Sequence, residues 1–223
     1  MTIRGGFVVA LAILFLSSCS GSPPEILFVD RSLRLIENPS KSSAEESLRI
    51  FVAIRDPDGS ADIESLVIAH ENSELVWNLD PGTWSTVSFG GDEWYGHTRL
   101  EHPQNAPLPR GRFTVIAEDG AGGRAESEFF LTAPVPEEMP LFPALVQVDG
   151  EVTLISEAPL SLRAYSSAGE LVLSRAVAPG EVPALVVDNL RTSAAEYVYL
   201  FLDQHDGTGV NLISGPFNLA PAQ

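Results

Sequence analysis

Seven residues, Asp56-Pro57-Asp58-Gly59-Ser60-Ala61-Asp62, place three carboxylates at one turn. Hard oxygen ligands at that spacing suit Ca²⁺, which makes Asp56, Asp58 and Asp62 the candidate metal ligands and Ca²⁺ the candidate cofactor. An EF-hand loop has glycine sixth and a distal Glu twelfth, however, whereas Gly59 stands fourth in this segment. Asp-Pro-Asp-Gly is also a turn sequence in its own right, and the turn is the expected role. Glu118-Asp119 would add carboxylates if the two turns met in space.

A second group is aromatic. Trp77, Trp84, Trp94 and Tyr95 crowd one stretch, with Gly90-Gly91 between them and Asp92-Glu93 alongside. Aromatic faces stack on pyranose rings and neighbouring carboxylates accept hydroxyl hydrogen bonds, so Trp84, Trp94 and Tyr95 are the candidate ligand-binding residues. A ring that buries 150–250 Å² also fills a core well, and core filling is expected of Trp77 and one other ring. Trp94 and Tyr95 are adjacent, so on a strand they point to opposite faces and at least one faces outward.

Other chemistry is sparse. His70, His97, His102 and His205 form no HExxH, and His97 and His102 stand five apart, an odd offset that separates them across a strand. The sequence holds no GxSxG elbow and no phosphate loop. The adjacent acids Asp92 and Glu93 diverge on a strand instead of facing each other across a bond, as glycoside hydrolysis requires. The chain therefore reads as non-catalytic, with an enzyme of unrecognised type as the remaining alternative.

The elements that must position these residues are β-strands. The 223 residues are 44% hydrophobic and 19% charged, which suffices for a packed core, and 17 Pro with 18 Gly predict many short elements. Thirteen basic against 30 acidic residues give a net charge of −17, which repels a phosphate backbone, so nucleic acid is not an expected partner. A single cysteine excludes internal disulfides and thiolate zinc sites.

That cysteine lies in a special place. Arg4 precedes the ten-residue apolar run Phe7–Leu16, too short to span a bilayer, which needs about 20 apolar residues. Leu16-Ser17-Ser18-Cys19 then resembles the lipobox of bacterial lipoproteins. The resemblance implies cleavage before Cys19, a signal peptide over residues 1–18, and acylation of the thiol and the new amine, so that the membrane is reached through an N-terminal lipid. Residues 19–24 would be the lipidated cysteine and its tether. Two or three acyl chains make a durable anchor where one holds marginally. Ser20 stands where an inner-membrane retention signal has Asp, so an outer-membrane position in the cell envelope is expected.

Past the tether, Leu48, Ile50, Val52 and Ile54 alternate with Arg49, Phe51, Ala53 and Arg55, the period of two of a half-buried strand. Further strands are predicted at 26–29 or 33–36, 63–69, 75–78, 84–89, 94–100, 113–118 and 125–131, with Gly- and Pro-rich turns between them. That density is the mark of a Greek-key sandwich. Leu108–Leu131, with its Leu-Pro entry, strand, Asp119-to-Gly123 turn and returning strand, is similar to the final hairpin of bacterial immunoglobulin-like domains.

Pro134, Pro136, Pro140 and Pro143 mark a stiff connector, and the β vocabulary resumes at 145–148, 152–155, 160–165, 171–177, 184–187, 197–202 and 212–219. The strand 197–202 is apolar on both faces and so is expected to be central. The expected fold is all-β: two β-sandwiches in tandem, the first (25–134) immunoglobulin-like, a linker (135–143) and a second sandwich (144–223). The expected function is a membrane-anchored envelope lipoprotein acting as a non-catalytic binding or scaffolding module. The alternative is a carbohydrate-binding lipoprotein that uses the aromatics of the first domain.

Overall fold

A computed structural model of the chain describes residues 21–38, 43–148, 151–165, 171–178, 199–205 and 209–218. Among them the fold is all-β, with one 3₁₀ turn at Ser60–Asp62. The first eight strands are β1 (Glu25–Asn38), β2 (Ser43–Arg55), β3 (Ile63–His70), β4 (Val76–Leu79), β5 (Ser85–Phe89), β6 (Asp92–Glu101), β7 (Gly111–Asp119) and β8 (Arg124–Leu131). They are followed by β9 (Ala144–Val148), β10 (Glu151–Ile155), β11 (Leu160–Tyr165), β12 (Leu171–Val177), β13 (Tyr199–His205) and β14 (Val210–Asn218). No helix among the described residues is long and apolar enough to cross a membrane. Leu16–Cys19 and the expected strand at 184–187 lie outside the described residues.

Two compact units form, and they are not sequential. Unit one gathers residues up to Asp30, Ile50–Thr98 and Arg112–Phe130; unit two gathers Arg31–Arg49, Arg99–Gly111 and the chain from Leu131. The segment expected as a linker at 135–143 falls within unit two in this grouping. Strands β1, β2 and β6 are 14, 13 and 10 residues long and contribute to both units, and the Pro-rich segment belongs to unit two. The alternative first-strand positions 26–29 and 33–36 are both parts of one strand, because Asp30-Arg31-Ser32 extends without a Pro or Gly to break it.

In unit one, β1-β2-β6-β5 form one sheet segment and β4-β3-β7-β8 a second sheet. Read in chain order this is the ABED and C′CFG arrangement of an immunoglobulin-like sandwich. Period-two patterning builds it. On β7, Phe113, Val115, Ala117 and Asp119 are buried while the residues between them are half-buried. Phe113 is fully buried, stacked on Phe129 at 5.1 Å and on Trp77 at 6.2 Å. Such a ring contributes roughly 1.5–3 kcal/mol through burial.

Strand β2 departs from strict alternation. Phe51 and Ala53 are buried along with Ile50, Val52 and Ile54, so both faces of this strand are covered. Beside it, a Cβ on Gly96 of β6 would lie 2.0 Å from the Ile50 carbonyl oxygen, and that contact reserves the position for glycine.

In unit two the sheet runs β12-β11-β13-β14-β1-β2. Its strands pair antiparallel where β11 meets β12 and β13, and where β13 meets β14. Strand β14 joins β1 in parallel, Leu33–Ile36 against Val210–Ile213. The hairpin β9-β10 supplies Leu145 and Leu154 to a core with Leu160, Leu162, Ala164 and Leu202. Strand β13 is internal to the sheet, the central place expected of 197–202, and Leu202 is fully buried; residues 197 and 198 lie outside the described residues.

Candidate functional site

The acidic turn is held by its own backbone. Asp56 Oδ1 accepts the Asp58 N–H at 2.8 Å, and the Gly59 N–H donates to the Asp56 carbonyl. Asp58 Oδ2 accepts the Ser22 N–H at 2.6 Å, which fastens the start of the described chain to this turn. The turns 56–62 and 119–123 do meet: the Gly120 N–H donates to the Asp62 carbonyl at 2.9 Å. Asp119 is buried, and its Oδ1 accepts the N–H groups of Ala121 and Gly123 at 2.9 and 2.7 Å. No three acidic, His or Cys groups among the described residues converge closely enough to hold a metal ion. For Asp56, Asp58 and Asp62, two of three carboxylates are engaged by main-chain donors, and the geometry is that of a capped turn.

The candidate aromatics divide between two faces. Tyr95 is buried at 4% exposure, its hydroxyl donating to Glu93 at 2.8 Å, and Trp84 meets it edge-on at 5.3 Å. Trp94 points the other way, as adjacency on a strand requires. Its ring meets Phe28 edge-on at 5.9 Å, and its indole N–H donates to the Phe89 carbonyl at 3.3 Å. Trp84, Trp94 and Tyr95 therefore do not form one platform.

An apolar face the sequence did not single out surrounds Trp94. Register places Val87 opposite Trp94 and Phe89 opposite Asp92, on the side of the sheet that Phe28 reaches. Exposure is 59% at Phe28, 48% at Val87 and 73% at Phe89. Three exposed apolar side chains thus gather around a half-buried Trp94, where a scattered single one would need no explanation. They lie beside β5, which ends its sheet, and every residue of β5 is exposed. Arg55 rims the face, 3.4 Å from Asp92 and 3.8 Å from Glu25. The signal that could have found it is the alternation Ser85-Thr86-Val87-Ser88-Phe89, which puts Val87 and Phe89 on one side.

The histidines are locally engaged. His70 is buried, its Nδ1 2.8 Å from the Ser73 hydroxyl and its ring against Phe113. His102 Nδ1 accepts the Gln104 N–H at 3.1 Å, and His205 Nδ1 lies 3.1 Å from Asn211 Oδ1.

No family profile and no curated protein matches the chain. Among solved structures, a chimeric titin Z1Z2-Z1Z2 tandem functionalised with a GRGDS peptide from fibronectin aligns over 86% of this chain and all of its own. The identity is 13% and the TM-score 0.25, too low for any property to be carried across. The immunoglobulin-like description of unit one rests on its strand order.

Proposed function

We propose that the chain is an envelope lipoprotein, acylated at Cys19 and held on an outer membrane, that works as a non-catalytic binding module through the outward face of its immunoglobulin-like unit. The observation that carries the reading is the exposed cluster of Phe28, Val87 and Phe89 around a half-buried Trp94, on a sheet whose opposite face buries Tyr95. Aromatic anchors gathered on a rigid sheet are what a protein-binding surface uses. The Ser22–Asp58 hydrogen bond supports the anchor reading, since it fastens the chain to unit one three residues after Cys19. That leaves a leash of roughly 11 Å at full extension.

The test is a photoreactive phenylalanine analogue in place of Phe89 in the intact cell. The reading expects a discrete protein adduct that disappears with Phe28→Ser, and no adduct at Phe89 overturns it. The carbohydrate reading is separated by titrating tryptophan fluorescence with soluble cell-wall glycans. Saturable quenching that is lost in Trp94→Ala would favour glycan, because Trp94 is the candidate ring that faces outward.

A further inference from the structure

Unit two holds a cavity of about 320 Å³ built from Leu35 and three further stretches of chain, around 43–46, 101–107 and 135–140. Its apolar surface comes from Leu35, Pro107, Val135 and Met139, and Met139 is half exposed. Five carboxylates line it: Glu45, Glu46, Glu101, Glu137 and Glu138. Arg99 pairs with Glu45 at 2.8 Å and also with Glu101, while Arg110 pairs with Glu46 at 2.7 Å. Glu137 and Glu138 have no basic partner among the described residues, so the cavity carries an excess of negative charge beside apolar walls. A second hollow adjoins it through Ser43, Met139 and Pro140 and continues past Leu141 and Glu37, which elongates the groove. Burial raises the pKa of Glu37 above its ordinary value.

The walls are fixed in advance. The Glu46 side chain is buried and takes both a two-point contact from Arg110 and the Leu108 N–H at 2.8 Å. Arg110 also donates to the carbonyls of Ala133 and Pro134, fastening the start of the proline-rich wall. A groove held this way loses little entropy when filled.

We propose that this groove binds a lysine- or arginine-bearing stretch of extended polypeptide, with aliphatic stems on Val135 and Met139 and cationic heads at Glu137 and Glu138. A long basic side chain has the matching chemistry, an apolar stem under a charged tip. The elongated shape suits a strand of peptide over a compact amine. The proposal goes beyond the reading above and stands whether or not Cys19 is acylated.

The experiment is fluorescence anisotropy with the full chain and a labelled Gly-Lys-Val-Lys-Val-Lys-Gly peptide at about physiological salt, where long-range attraction is screened. Glu137→Gln with Glu138→Gln is expected to weaken binding about tenfold. Glu64→Gln with Glu126→Gln makes the same change in net charge on unit one and is expected to leave affinity within about twofold. Met139→Ser tests the apolar wall and is expected to weaken binding several-fold. No binding by the unmodified chain, or equal losses in the two charge variants, overturns the proposal. Displacement of the peptide by an equal concentration of spermidine overturns its peptide part.

Discussion

Arg110 and Arg112 stand two residues apart, each facing carboxylates, yet they belong to different units and to different physics. In unit two, Arg110 meets a Glu46 side chain that is 6% exposed and also holds three backbone carbonyls. In unit one, Arg112 reaches Glu71 and Glu128 from side chains that are 39%, 41% and 53% exposed. Arg112 holds the Glu71 carboxyl below its usual range, chiefly by hydrogen bonding, and Glu71 raises the guanidinium in turn. An ion pair in water is screened and nearly dispensable, whereas a buried one commits the structure around it because neither charge can be left alone.

The largest expected effect follows from that contrast. Arg110→Leu leaves Glu46 charged, buried and unpaired, and should cost about 3–5 kcal/mol in denaturant unfolding. Adding Glu46→Gln to the same chain should restore part of that loss, because the stranded charge is gone. An Arg110→Leu chain as stable as the parent would erase the distinction between the two pairs.

Next in size is the Asp119 turn, which shows what a buried carboxylate contributes when its partners are backbone N–H groups. Asp119→Ala removes two charge-assisted bonds and should cost about 1–3 kcal/mol. Retention of parental stability would mean that water can replace them.

The smallest expected effect is at the exposed pair. Arg112→Leu should leave the melting temperature unchanged at physiological salt, with a slight loss only at low ionic strength. Its pH signature has a definite sign. The folded Glu71 pKa is depressed, so its contribution is present above the unfolded carboxylate value and is lost as pH falls through the folded one. Removing Arg112 should therefore flatten the acid limb of the stability profile slightly. Glu37 has the opposite sign: burial raises its pKa, so Glu37→Gln should not destabilise the protein at neutral pH and should remove a small penalty there.

Local signals carried much of this architecture. Strands β3, β7, β8, β11 and β12 are found within two residues of the positions their alternation predicts, and Trp94 and Tyr95 separate as neighbours on a strand must. What local pattern does not encode is partnership. Strand β14 lies parallel to β1 although their paired residues are separated by nearly the whole described chain. Glu46 finds Arg110 across 64 residues, and the acidic groove draws its lining from four segments with no shared motif. The interleaving of the two units has the same origin, since a strand's period says that one face is buried but not how many partners it serves along its length.

The proposed function turns on the proposed anchor: acylation at Cys19 would leave only a few residues before the Ser22–Asp58 hydrogen bond, and so would set what the outward face can reach. The direct measurement is the mass of the N-terminal fragment of the protein extracted from its own membrane. The proposed anchor requires a chain that begins at Cys19 and carries diacylglycerol on its sulfur. A free Cys19 thiol, or a chain that still begins at Met1, would contradict it.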